Sequence, residues 1–253
     1  MFRPVMKPYQ RAFLFSQLLC YYNFIMSLTK KWVVVLIGPP GSGKGTQAEM
    51  LAEKFGLFHL ETSKLGEEKI NDLELVKKDP EVAEAKRLYD KGELFPPPWT
   101  VKITVEKIRE LAGKGVGIVF SGSPRTLHEA ENEMPILEKV YGKENIKPIH
   151  LNLTKEESVK RNSSRRICKA NRHSIPDFPM FKGITTCLKD GSELIKRSLD
   201  TPETIGVRYE VYLRQTQPIL SFIQEKGYKV IEIEGEQEIE KVFEDIIEEI
   251  SKS

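Results

Sequence analysis

A loop of nine residues constrains this chain more than anything else in it: Gly38-Pro39-Pro40-Gly41-Ser42-Gly43-Lys44-Gly45-Thr46. The apolar run Trp32 to Ile37 precedes it, short and β-branched enough for a buried strand. Gln47 to Phe55 follows, with apolar residues at helical spacing. Strand, glycine loop and helix in that order are the setting in which a phosphate-binding loop forms. Glycines let consecutive backbone N–H groups turn toward one anion, and the new helix adds its positive end. Lys44 adds a full charge. The spacing G-x-x-x-x-G-K fits Gly38 to Lys44, but Gly45 stands where the general motif carries a magnesium-binding hydroxyl, and Thr46 comes one place later. The pattern G-x-G-x-x-G fails at Thr46, which argues against a dinucleotide fold. The bland alternative is a glycine-rich turn without a ligand, and both flanks speak against it.

The rest of the chain alternates in the same way. Short apolar strands are expected at Leu57–Leu60, Gly115–Phe120, Pro148–Leu153 and Tyr228–Ile233, with helices between them. Thr126-Leu127-His128-Glu129 and Thr154-Lys155-Glu156-Glu157 are capping boxes that open two of those helices. Leu94 to Trp99, with three prolines, reads as a rigid turn before a helix from Thr100 to Ala112. Asp200 begins a long helix to about Lys226, and Cys168 to Lys196 reads as irregular. Five strands alternating with helices imply an α/β fold, a parallel sheet covered on both faces.

Composition limits the partners. A net charge of +2 over 253 residues gives no basis for a nucleic-acid surface. No apolar run reaches membrane-spanning length. Three cysteines are too few for a disulfide scaffold. Residues 1–30 are expected to be a loose extension or an over-extended start before Met26; a signal peptide is the weaker alternative, since no small-residue cleavage site follows the apolar segment.

Taken together, the loop, the turn Gly122-Ser123-Pro124-Arg125-Thr126, the arginines Arg161, Arg165, Arg166, Arg197 and Arg208, and Tyr212 with Gln215-Thr216-Gln217-Pro218-Ile219 resemble an adenylate kinase of the nucleoside monophosphate kinase superfamily. The resemblance runs from about Lys31 to the C-terminus. It implies a P-loop three-layer core over 31–59, 96–160 and 197–253, a small NMP-binding helical insertion over 60–95, and a lid over 161–196. It implies magnesium-dependent transfer of the terminal phosphoryl group of ATP to AMP, giving two ADP, by a cytoplasmic monomer with no nucleic-acid or membrane partner. Catalysis would fall to Lys44, Arg125, Arg165, Arg197 and Arg208. ATP would meet Gly41, Ser42, Gly43, Lys44, Gly45, Thr46, Arg161 and Arg165. AMP would meet Thr62, Lys64, Phe95, Gly122, Arg125, Glu129, Arg197 and Arg208. The chemistry agrees, because phosphoryl transfer needs positioning and charge neutralisation more than covalent help, and guanidinium forks match phosphate oxygens. For Arg166, Lys169 and Arg172 a solvated basic face is the simpler expectation.

Several positions depart from the family pattern. Lys64 replaces an aspartate and Glu67 the arginine that grips the monophosphate, so Lys64 or Lys69 is expected to supply the lost charge. Ser121 replaces an aspartate that orients magnesium's waters, Ser123 a phenylalanine, and Leu199 an aspartate. Glu129 replaces a glutamine that reads the acceptor's base; its other role is the capping-box carboxylate. These changes keep two alternatives in view, a kinase for GMP, CMP or UMP, and a nucleotide-binding protein with impaired turnover. Some family members hold zinc in the lid through two Cys-x-x-(Cys/Asp) pairs. Here Cys187 and Asp190 fit the second pair, Cys168 starts the first, and His173 could complete a tetrahedral site. Ordinary buried thiols are the alternative.

Overall fold

A computed structural model describes residues 31–252, apart from 92, 94, 172, 178–180 and 198–199. The expectations for residues 1–30, for Arg172 and for Leu199 lie outside the described residues.

Strand β1 (Val33–Ile37) leads through the glycine loop into helix α1 (Lys44–Phe55). Strand β2 (Phe58–Leu60) is followed by α2 (Thr62–Asn71), α3 (Leu73–Lys78), α4 (Pro80–Asp90) and α5 (Pro97–Gly113). Then come β3 (Ile118–Phe120), α6 (Leu127–Tyr141), β4 (Ile146–Asn152) and α7 (Lys155–Ser164). Three short strands follow, β5 (Arg166–Cys168), β6 (Ser174–Ile175) and β7 (Leu194–Ile195). Helix α8 (Pro202–Val211) runs through a wide π turn (Tyr212–Thr216) into α9 (Pro218–Glu225), and β8 (Ile231–Glu234) and α10 (Ile239–Lys252) close the chain.

Five strands form one parallel sheet in the order β2-β3-β1-β4-β8. Alternation along β1 explains how both faces are covered. Val33, Val35 and Ile37 enter one core with Ile108, Leu137 and Ile219, while Val34 and Leu36 enter the other with Leu51, Ile246 and Ile250. A third core joins Ile70, Val82, Ala85, Trp99 and Ile103, and packs α2, α4 and the start of α5 together.

Three expectations change. Pro97–Trp99 forms the first turn of α5 instead of a separate turn, because proline at N1 loses no intrahelical bond. The helix expected from Asp200 to Lys226 starts at Pro202 and widens at Tyr212–Thr216, where Pro218 has no N–H to continue the regular ladder. The stretch from Cys168 to Lys196 contains a three-stranded antiparallel sheet in the order β6-β5-β7. Its strands are only two or three residues long, too short to leave an alternation.

Candidate active site

In an open parallel sheet, the loops after the carboxyl ends of the strands meet in one crevice. Here those loops are the glycine loop after β1, Ser121–Arg125 after β3, and the entry to α2 after β2. The glycine loop is shaped by conformations that other residues avoid. Gly43 is the N-cap of α1 with φ 89°, and no side chain caps that helix. The first N–H groups of α1 are therefore left for a ligand. A Cβ on Gly38 would lie 2.6 Å from the Leu151 carbonyl, so the loop can lie this close to β4 only with glycine there.

Lys44 Nζ folds back on its own loop, donating to the carbonyls of Gly38 (2.7 Å) and Pro39 (2.9 Å). Burial, then the nearby guanidiniums of Arg125, Arg208 and Arg165, lower its pKa to about 7. Arg208 is likewise lowered, by burial first and then by Arg197 and Arg165. Arg125, Arg165 and Arg208 thus lie near Lys44 from separate parts of the chain, and Arg197 lies near Arg208. One buried carboxylate partly balances them. Asp200 accepts from Arg165 Nε (2.7 Å) and Nη2 (3.1 Å), and from Arg208 Nη1 (3.4 Å).

Arg125 sits on the turn after β3. Its Nε donates to the Gly122 carbonyl (2.7 Å), and its own carbonyl accepts from Thr216 Oγ1 (2.8 Å). Thr62 lies beside Gly122, with a buried hydroxyl that has no partner among the described residues. Such an orphaned group at a cleft needs a ligand or water. Ser121 Oγ is bonded to His59 Nε2 at 2.7 Å. Lys64 pairs with Glu61, which is also next to Gly122, whereas Lys69 pairs with Glu106 on α5. Phe95 is packed between Tyr89 and Trp99 and covers Gly66, as part of the third core. Arg161, bonded to Glu157 at 2.9 Å, lines a cavity of about 360 Å³ together with Pro176 and Gln237. Thr126 caps α6, its Oγ1 accepting from the Glu129 N–H at 3.2 Å, while the Glu129 carboxylate accepts not from the N-cap N–H but from that of Arg125, one residue earlier, at 2.5 Å.

Cys168, at the end of β5, comes together with His173, Cys187 and Asp190 from the segments beside the three-stranded sheet, with one ligand atom from each within 4.8 Å of the others. Cys168 Sγ is 3.0 Å from Asp190 Oδ2, and His173 Nδ1 is 3.3 Å from Cys187 Sγ. Ligand–metal distances of about 2.0–2.3 Å in a tetrahedron put donor atoms roughly 3.3–3.8 Å apart, close to this spacing. The Asn171 N–H also points at Cys168 Sγ (3.2 Å).

Asp200, Thr216, Ser123 and Glu133 are the residues that sequence reasoning left without a role. Ser123 and Thr216 lie within the stretches that carry the family resemblance, and Asp200 stood only as the start of a helix.

A family model described as adenylate kinase matches residues 36–228. The adenylate kinase of Bacillus velezensis is 36% identical over 221 residues, covering 85% of this chain and 96% of its own. That of Oceanobacillus iheyensis is 38% identical over 217 residues, covering 84% and 96%. That of Methanothrix thermoacetophila is 37% identical over 222 residues, covering 87% and 98%.

Proposed function

The chain belongs to the adenylate kinase family, a phosphotransferase passing the terminal phosphoryl group of ATP to AMP, and on that premise we propose how its residues divide the work. No finding favours another acceptor or a loss of turnover. The core is 31–59, 96–160 and 197–253, the acceptor domain 60–95, and the lid 161–196.

The glycine loop, from Gly41 through Gly43, Gly45 and Thr46, wraps the ATP phosphates with backbone N–H groups, and Ser42 braces it. Lys44 leaves its carbonyls for the phosphate oxygens. Arg161 lies along the ATP base in the cavity it lines. Arg125 takes the AMP phosphate beside Thr62 and Gly122, with Lys64 held nearby through Glu61. Phe95 acts by shaping the acceptor domain. Arg165, Arg197 and Arg208 hold the phosphoryl group in flight, where positive charge in a water-poor site counts most. Asp200 keeps two of these forks aligned before substrate arrives. Adenylate kinases use magnesium with ATP, and the ion neutralises charge between the phosphates. Thr46 and Ser121 are the hydroxyls present for it, which suits an ion that keeps most of its waters. The lid cluster of Cys168, His173, Cys187 and Asp190 holds a structural zinc ion. The family's chemistry uses soluble nucleotides, and no helix among the described residues is long and apolar enough to cross a membrane. We infer a cytoplasmic setting from the soluble nucleotides it uses, and propose that it acts as a monomer.

The observation that carries this assignment is the gathering of Arg125, Arg165 and Arg208 around Lys44, with Arg197 beside Arg208. The test supplies ATP and magnesium with AMP, GMP, CMP or UMP in turn and measures diphosphate formation. AMP is expected to win. A different preferred acceptor, or binding without turnover, would overturn it.

A further inference from the structure

Glu133 is the one acidic residue on the buried face of α6. That face also carries Ala130, Met134, Leu137 and Tyr141, and Glu133 is 0% exposed among them. Both of its carboxyl oxygens lie 2.8 Å from Ser123 Oγ, in the turn that carries Arg125. An ionised carboxylate would have a single serine hydrogen to share between two buried oxygens. A carboxylic acid brings its own hydrogen, donates it to Oγ, and frees the serine hydrogen for a second acceptor. Burial first, with neighbouring Glu129 adding to it, pushes the Glu133 pKa up to about 8 against the opposing pull of the Ser123 hydrogen bond.

The second acceptor within reach is Glu129. Its Oε2 lies 3.4 Å from Ser123 Oγ and accepts the Arg125 N–H at 2.5 Å. Its Oε1 accepts no hydrogen bond among the described residues. Of the two adjacent carboxyl groups it is the buried Glu133 that holds the extra hydrogen, which leaves the Ser123 hydrogen for Glu129. One oxygen of Glu129 is therefore tied to the turn, and one is left over. A single free acceptor matches a base edge that presents one amino group, as adenine does. Guanine presents two adjacent N–H donors, which a carboxylate with both oxygens free would accept and a one-oxygen acceptor would not.

We infer that Glu133 is a positioning residue which, through Ser123, fixes Glu129 as a one-oxygen acceptor for the amino group of the acceptor base. This rests on reading Glu129, as the family resemblance implies, as the residue that meets the acceptor's base. Neither Glu133 nor Ser123 needs to touch substrate.

The test measures melting temperature, KM for AMP, KM for ATP, and the AMP-over-GMP preference in Glu133→Leu, Glu133→Gln, Ser123→Ala and Glu129→Ala. Leucine suits a buried helical face, so a role in packing alone predicts that Glu133→Leu is at least as good as the parent. The inference predicts that Glu133→Leu melts higher but has a KM for AMP raised about tenfold, the size of one lost hydrogen bond to a charged group, with KM for ATP unchanged. Ser123→Ala is expected to melt lower yet raise KM for AMP similarly, and in both the AMP-over-GMP preference narrows. Glu133→Gln, whose amide offers one donor and one acceptor as the neutral acid does, should stay within about twofold of the parent. The inference fails if Glu133→Leu and Ser123→Ala keep the parent KM for AMP while Glu129→Ala raises it. It also fails if Glu133→Gln loses as much as Glu133→Leu. If Glu129→Ala leaves KM for AMP unchanged, the assignment of Glu129 to the base falls, and the inference with it.

Discussion

Lys44 shows how the site is poised. Its ammonium is disfavoured by burial first and by three arginines second, so its pKa falls to about 7 in the free protein. The folded chain then binds fewer protons at this residue than the unfolded chain between about pH 7 and 10.5. Stability from this group accordingly rises with pH across that window, and below it the buried charge works against folding. A polyphosphate reverses the balance by favouring the ammonium. ATP binding near pH 7.5 should therefore take up protons, seen as a binding enthalpy that depends on the buffer's ionisation enthalpy. No buffer dependence would contradict this. Lys44→Met should lower kcat by about 10²–10³, the usual cost of removing one group that stabilises transition-state charge. Glu133 has the opposite sign. Its carboxyl keeps a proton up to about pH 8 when folded, against an ordinary 4.5, so the folded chain binds more protons in between. Stability should fall as pH rises from about 4.5 toward 8, and Glu133→Gln should remove that slope, as melting curves across pH would show. Lys44 could be recognised in the sequence because glycine spacing and its flanks announce it. Glu133 carried a subtler signal, since it lies three residues after Ala130 and four before Leu137, on the apolar stripe of α6. Only the structure shows that Ser123 meets it there.

At the scale of elements, the sheet and its helices were legible because each strand is a compact apolar run between turn residues. The lid strands were not, because two or three residues carry no period and the donors that bring them together lie 22 positions apart, from Cys168 to Asp190. If zinc holds this sheet, Cys168→Ser or Cys187→Ser should remove stoichiometric metal, lower the melting temperature and open the lid to proteolysis, because metal binding is folding energy in so small a unit. Metal analysis of protein purified without chelator, with limited proteolysis, checks this; metal-free protein with a protease-resistant lid would refute it. The wide turn between α8 and α9 also has a task. It brings Thr216 Oγ1 within 2.8 Å of the Arg125 carbonyl, while Tyr212 anchors the turn on His150 Nε2 at 2.8 Å. Thr216→Val keeps the shape and removes the donor. It should raise KM for AMP by a few-fold, in line with about 0.5–1.5 kcal/mol for one hydrogen bond, with KM for ATP unchanged.

Across the whole molecule, the fold works as a device for bringing like charges together. Lys44 comes from the first loop, Arg125 from the third strand's turn, Arg165 from the end of α7, Arg197 from the chain after β7, and Arg208 from α8. Repulsion among them is tolerated because the sheet, with two buried faces, supplies the rigid base, and because Asp200 offsets part of it. Nucleotide phosphates supply the rest, so the protein should melt substantially higher with ATP and AMP together than alone. The order of the cationic residues could be read from the sequence, but their common focus needed the coordinates. Steady-state formation of ADP from ATP and AMP, measured in the parent and in Arg125→Ala, Arg165→Ala, Arg197→Ala and Arg208→Ala, tests that focus most directly. Each variant should fold and bind magnesium–ATP, yet lose at least about tenfold in kcat/KM for AMP. Variants that turn over AMP as fast as the parent would show that the arginines do not share one site.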